Sequence, residues 1–487
     1  MRTMVAASVL LGLLSGGAAA EPARQIISVG ADALPSVTML ASEHDAPIDL
    51  HMANDERVVL EIADDQLLAL SEHMHEEFGR CGGYMVHESL DEALAPATPL
   101  RDVDYTIDRA EVVNAVLPRL SDVHILQTIR ELSSMKNRYY RSESGAAASA
   151  WLAQKWRGLA KDRSDVTIEL FDQGYPQKSV IMTIPGTTRA SEVIVIGGHL
   201  DSIAPGGVSS SAPGADDDAS GIATLTEIAR VLLASDFRPE RTIKFMAYAA
   251  EEVGLRGSQA IVRDFKARKV DVVGALQLDM TNFQGSDRDI WIIDDFTSKA
   301  QNKFLVDLIE RYTNATWGSD KCGYACSDHA SWHRAGVPAS MPFESRSKEM
   351  NKRIHTKNDT LEQSKDNALH AVKFARLGTA YAIELAKGTL VTCWWDACMA
   401  NPLSAACKVP NTDAVCKERN ARSASEMAAR IAERRRSGRS CATARLIYEG
   451  RQRREGDHDR DNTEPLWIWI GLALTGAGAL WLSRRAG

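Results

Sequence analysis

The sequence predicts an α/β protein, a three-layer sandwich around a largely parallel mixed sheet, with a small α+β unit ahead of it. Two observations carry this. Between about residues 105 and 388, strand-like apolar runs alternate with longer helical stretches, the order that builds a sheet covered by helices. Those runs are apolar almost end to end, as strands buried on both faces are. The segment spans roughly 280 residues, enough for one sizeable core.

In chain order, helical periodicity predicts helices over 121–134 and 145–161, followed by strands over 179–184 and 192–196. A helix over 221–233 and a strand over 242–248 come next. After another helix, strands are expected over 270–278 and 290–293, and a long helix over 361–387 closes the unit.

Ahead of it, residues 1–20 have the three parts of a secretory signal. Arg2 supplies the positive start, residues 5–14 the apolar core, and Ala18, Ala19 and Ala20 a small-residue cleavage site. A buried helix is the plain alternative, but the core is short and the chain turns polar at once. Export to the periplasm, the cell surface or the medium is expected, and it permits disulfides among the eight cysteines. Residues 21–104 form an acidic segment whose alternation at Arg57-Val58-Val59-Leu60-Glu61-Ile62 suits a small α+β unit. Its histidines, His44, His51, His73, His75 and His87, lack carboxylates at ligand spacing and read as surface residues.

Behind it, residues 389–463 carry Cys393, Cys398, Cys407, Cys416 and Cys441 in an arginine-rich stretch that reads as a solvated stalk. Disulfides fit these cysteines better than a zinc knot, since no tight Cys-x-x-Cys pair exists, but their connectivity is not readable. In residues 464–487 the apolar run 466–482 would reach roughly 26 Å as a helix, against a hydrocarbon core of ~30 Å. Arg484 and Arg485 follow it, which suits a transmembrane anchor or a sorting signal that is cleaved. A net charge of −8 gives no reason to expect nucleic-acid binding, and a monomer is expected.

Chemistry-bearing residues gather in five places. Gly197-Gly198-His199-Leu200-Asp201 ends an apolar strand, and residues two apart share a face, so His199 and Asp201 point the same way. A metal-bound imidazole commonly gives its other N–H to such a carboxylate, although His-x-Asp alone fits a satisfied surface pair as well. Asp216-Asp217-Asp218 then opens a helix. A helix cap explains one aspartate, and Asp218 suits that role, but not three in a row. Glu251-Glu252 and Asp279 each follow an apolar strand, at the edge where ligands of open α/β sheets gather. Arg353-Ile354-His355-Thr356 adds a second histidine. Each place alone could be structural; together, two histidines and three carboxylates suit two zinc ions that share a bridging aspartate.

Four stretches sharpen this: Gly214-Ala215-Asp216-Asp217-Asp218-Ala219-Ser220-Gly221, Glu251-Glu252-Val253-Gly254-Leu255-Arg256-Gly257-Ser258, Leu276-Gln277-Leu278-Asp279-Met280-Thr281-Asn282 and Cys322-Gly323-Tyr324-Ala325-Cys326-Ser327-Asp328-His329. Over roughly residues 122–387 the chain resembles the secreted bacterial leucyl-type aminopeptidases, the M28 family of two-zinc exopeptidases. The resemblance implies that His199 and Asp279 hold one zinc, Glu252 and His355 the other, and that Asp217 bridges them. It implies Glu251 as general base, Asp201 as the group orienting His199, a cis bond at Asp217–Asp218, a substrate contact from Tyr324 and a Cys322–Cys326 disulfide. Residues 21–104 stand where the family carries a propeptide. His329 and His333, with the carboxylates already matched elsewhere, are assigned to packing.

The activity so implied is removal of a large apolar N-terminal residue from peptides with a free N-terminus. Met280, Phe343, Cys326 and Ile354 fit an apolar pocket wall. Ser347 and Met350 stand where a relative has aromatic residues, which predicts a wider pocket. A related exopeptidase or cyclase of other selectivity is the alternative enzyme. A non-catalytic surface-anchored binding protein is disfavoured, because all five ligands and the base are present.

Overall fold

The computed structural model describes residues 23–43, 47–80 and 82–391, and the statements below concern these. The expected signal, the C-terminal span and all of the stalk beyond residue 391 lie outside them. Among the described residues no helix is long and apolar enough to cross a membrane.

The N-terminal unit runs β1 (Arg24–Gly30), α1 (Leu34–Glu43), β2 (Asp49–Ala53), β3 (Arg57–Ala63), α2 (Leu67–Phe78), β4 (Tyr84–His87) and α3 (Leu90–Leu94). Its strands form one sheet in the order β2-β3-β1-β4, with β1 antiparallel to both of its neighbours. Ile27, Val29, Leu60 and Ile62 from the sheet bury against Leu67, Leu70 and Met74 of α2. Two histidines depart from the surface reading. His87 is 3% exposed and its Nε2 lies 2.8 Å from Ser28 Oγ on the paired strand. The ring of His75 lies 4.9 Å from that of His355.

The larger unit begins with α4 (Ala110–Val116), α5 (Asp122–Ser133) and α6 (Glu143–Leu159). Then come β5 (Thr167–Phe171), β6 (Ser179–Ile184), β7 (Arg189–His199), α7 (Ala219–Ala234), β8 (Phe237–Pro239), β9 (Arg241–Tyr248), α8 (Arg256–Ala267) and β10 (Asp271–Gln277). It finishes with β11 (Ile290–Ile293), α9 (Lys299–Tyr312), β12 (Trp317–Asp320), α10 (His329–Arg334), β13 (Ala339–Ser340), β14 (Pro342–Phe343), α11 (Ala371–Ala386) and β15 (Gly388–Leu390).

The central sheet has the order β13-β10-β7-β9-β6-β5. Pairings among β13, β10, β7 and β9 are parallel, while β6 pairs antiparallel with β9 and β5 antiparallel with β6, so the sheet is mixed. Alternation along β7 explains the sandwich. Ile194 and Ile196 join the core formed with α7 and α11, whereas Val193 and Val195 join Ile261, Phe265 and Trp332 of α8 and α10 on the other face. The expected strand at 290–293 forms, but in a separate sheet of order β12-β11-β14.

The closing helix is shorter than expected. Leu361–Ser364 is a 3-10 turn, Lys365 and Asp366 follow at φ of 56° and 54°, and α11 starts only at Ala371. Two left-handed residues in succession cannot be carried by a right-handed helix.

Candidate active site and metal centre

Parallel pairing of β10, β7 and β9 brings three strand ends to one edge. His199 is the last residue of β7, Glu251 and Glu252 follow β9 by three and four residues, and Asp279 follows β10 by two. The loop entering α7 adds Asp217, and the segment ahead of α11 adds His355.

The five side chains converge. His199 Nε2 lies 2.8 Å from Asp217 Oδ1 and 3.5 Å from Asp279 Oδ1. His355 Nε2 lies 2.7 Å from Glu252 Oε2 and 3.3 Å from Asp217 Oδ2. The two oxygens of Asp217 thus face different imidazoles. His199, Asp217 and Asp279 form one group with ligand atoms within 4.8 Å of one another, and Asp217, Glu252 and His355 form a second. All five are buried.

The surrounding contacts hold this geometry. Asp201 accepts the backbone N–H of Glu251 at 3.0 Å and of Glu252 at 3.2 Å, and its Oδ1 lies 3.6 Å from His199 Nδ1. It therefore positions the Glu251–Glu252 backbone as well as abutting the histidine. Asp218 caps α7 through Gly221 N and also accepts the N–H groups of His199 and Met280, tying three elements together. The Asp217–Asp218 peptide bond is cis.

Two supporting residues were missed from sequence. The Asp359 carboxylate accepts the N–H groups of Asp216 and Asp217, at 3.2 and 3.1 Å. Buried Arg138 donates to the carbonyls of Leu200 and Gly214. Both act on backbone atoms far away in the chain, and Asp359 sits in an ordinary turn-like Lys357-Asn358-Asp359-Thr360. No sequence signal marks them.

The charge balance tests the site for cations. Burial, with Asp217 nearby, pushes Glu252 up to about 7. Burial, with Asp328 and Asp279, pushes Glu251 well above the usual carboxylate range against the pull of His199. Although burial alone would lower it, His355 is raised to about 10 by Glu252 and Asp217. Asp279 Oδ1 and Glu251 Oε2 are buried with no hydrogen-bond partner among the described residues. Clustered carboxylates far from water are costly unless paired or metal-bound. Two nitrogen donors and three carboxylates sharing one bridging member fit a pair of divalent cations.

Beside Asp279 opens a cavity of about 820 Å³. Its apolar side is Met280, Ile293, Cys326, Met341, Phe343 and Met350, with Tyr324 and Ser347 also lining it. Ile293 and Met341 were not foreseen. Ile354, expected in the wall, is fully buried in the same apolar cluster and does not line the cavity. Cys322 and Cys326 are disulfide-bonded. His329 Nε2 lies 3.1 Å from the Asp295 carbonyl, and His333 packs edge-on to Phe296, so both belong to the packing around the site.

A mixed α/β sandwich with acidic and imidazole side chains converging at its strand ends defines a metal-dependent hydrolase. Residues 179–380 match the profile of Peptidase family M28. Leucine aminopeptidase 1 of Coccidioides posadasii (strain C735) is 38% identical over 288 residues, 56% of this chain and 73% of its own. Leucine aminopeptidase 1 of Aspergillus niger is 37% identical over 298 residues, 58% of this chain and 75% of its own. The crystal structure of Legionella pneumophila LapA aminopeptidase aligns at a TM-score of 0.66 and 30% identity, covering 75% of this chain and 99% of LapA. That of L. pneumophila LapB aligns at 0.64 and 31%, covering 75% and 100%. The chain belongs to Peptidase family M28, and within it is an aminopeptidase.

Proposed function

We propose that this protein is an exported, zinc-dependent aminopeptidase that removes large apolar residues from the N-termini of peptides. The observation that supports it most is the division of Asp217 between two imidazoles, Oδ1 near His199 and Oδ2 near His355. His199, Asp217 and Asp279 would hold one zinc, and Asp217, Glu252 and His355 the other; mixed imidazole and carboxylate donors suit zinc. Bound there, the two ions would lower the pKa of a water and polarise the scissile carbonyl.

The chain's own residues do the rest. Glu251, whose Oε2 is left without a hydrogen-bond partner among the described residues, takes the water's proton and returns it to the leaving amine. Asp201 fixes the backbone that carries Glu251 and Glu252. The wall of Met280, Ile293, Met341 and Phe343 receives the apolar N-terminal side chain, and Tyr324 contacts the substrate from the facing loop. The Cys322–Cys326 disulfide, with the signal-like residues 1–20, supports export to an oxidising compartment.

Hydrolysis of Leu-p-nitroanilide by the purified protein tests this. Chelator should abolish it, and Glu251→Gln should lower kcat by ~10²–10⁴-fold. Unchanged turnover under both treatments would overturn the reading.

A further inference from the structure

Next to the apolar wall of the cavity lies a buried polar cluster that the mechanism above does not use. The turn after Asp279 is held by its backbone N–H groups. Met280 N donates to Asp218 Oδ1 at 3.1 Å, Thr281 N to Ser220 Oγ at 2.8 Å, and Phe283 N to Glu344 Oε2 at 2.7 Å. Asp218 and Ser220 stand at the start of α7, beside the bridging Asp217. Met280 itself is left-handed at φ 57°, a conformation that a bulky residue keeps only where its surroundings dictate it.

Glu344 closes this turn from the opposite side. It is fully buried, and it follows Phe343, which lines the cavity. Its carboxyl bonds that of Asp216, the residue before the bridging aspartate. Asp216 Oδ1 and Glu344 Oε1 have no other partner among the described residues. Two carboxyl groups bond one another only through a proton. Burial, with Asp216 beside it, pushes Glu344 well above the usual carboxylate range, so Glu344 is the donor of the pair. The other oxygen of Asp216, Oδ2, accepts from Asn351 Nδ2 at 3.1 Å, and Asn351 follows Met350, a further residue of the wall.

Three wall residues from three separate segments thus share one anchor. Met280 opens the turn that Glu344 holds at Phe283, Phe343 precedes Glu344, and Met350 precedes Asn351. Apolar contacts alone tolerate several arrangements of such segments, whereas a satisfied buried polar network specifies one. Glu344 neither lines the cavity nor belongs to either metal group, so it acts through Met280 and Phe343. We propose that Glu344, bonded to Asp216, is the positioning residue that sets the width of the apolar pocket by latching its wall to the loop of the bridging aspartate. This rests on the aminopeptidase reading above.

The test uses the full chain, before and after limited proteolysis, on Leu-, Phe- and Ala-p-nitroanilide, with zinc content measured for each variant. Wild type should prefer Leu and Phe to Ala. Glu344→Ala should lower the Leu-to-Ala ratio in kcat/KM by ~10-fold, chiefly through KM, with zinc content unchanged. Glu344→Gln should keep the ratio, because its amide still accepts from Phe283 N and donates to Asp216. Amide hydrogen exchange reads the latch without any turnover. The Phe283 N–H should be protected in wild type and in Glu344→Gln, and should exchange ~10-fold faster or more in Glu344→Ala. A wild-type Phe283 N–H that exchanges like an exposed amide overturns the proposal whether or not the variants fold. So does an unchanged ratio in Glu344→Ala, or a Glu344→Gln variant that behaves as Glu344→Ala does. In a wild type that cleaves Leu-p-nitroanilide, those failures leave the aminopeptidase reading standing. Inertness on all three anilides, before and after proteolysis, defeats that reading, and this proposal with it.

Discussion

His355 Nε2 lies 2.7 Å from Glu252 Oε2, and both side chains are buried. Beside them stand Asp217, Asp279 and Glu251, so four buried carboxyl groups face the two imidazoles of His199 and His355. Bound cations balance that excess, and their binding is then part of the folded state's stability. Chelation should lower the thermal unfolding midpoint, and added zinc should restore it. Free zinc at a hundred times its Kd adds about 2.7 kcal/mol per site. A midpoint indifferent to chelator and zinc contradicts this.

Asp359 touches the site only through the backbone of Asp216 and Asp217. Groups that orient ligands in this way typically change metal affinity by about 10–100-fold when removed. Asp359→Ala should weaken zinc binding by that factor, measured by competition with a chromophoric chelator. Wild-type affinity in a folded variant would rule out the positioning role.

His87 supplies a pH dependence. Burial first, then the charges of Arg334, Arg57 and Arg263, push its imidazole down from 6.5 to about 3. The folded state therefore keeps His87 neutral where the unfolded chain takes up a proton. The stability it allows is full above pH 6.5 and is lost as pH falls from 6.5 towards 3. At pH 5 the loss is roughly 2 kcal/mol. Urea unfolding at pH 7 and pH 5 should show it, and His87→Gln, which cannot titrate, should reduce the difference by that amount. Equal pH sensitivity in the variant would remove His87 from the account.

Ser347 and Met350 both line the cavity and neither is aromatic. Leu and Phe aminoacyl anilides should therefore turn over at comparable rates. Met350→Trp should lower Phe relative to Leu by ~10-fold or more, the scale on which pocket fit discriminates apolar groups. A strict wild-type preference for Leu would contradict the wider pocket.

What could be read in advance followed from local rules. The strands at 179–184 and 290–293 are bounded by composition, and their limits agree with the observed ones. His199, Glu252 and Asp279 were visible because each ends or closely follows an apolar strand, and parallel pairing then brings them together. The closing helix was begun ten residues too early because nothing in Lys365 or Asp366 marks a left-handed conformation. Asp359 and Arg138 went unseen because they bind backbone atoms more than 60 residues away. His75 was hidden for a third reason. Its surroundings exist only once the N-terminal unit docks on the catalytic one, and no periodicity within either segment encodes that contact.

The most direct test of the central claim is anomalous diffraction at the zinc edge from crystals of the zinc-loaded protein. The account predicts two peaks, one near His199 and Asp279 and the other near Glu252 and His355, with Asp217 touching both. A single peak, or peaks away from Asp217, would contradict it.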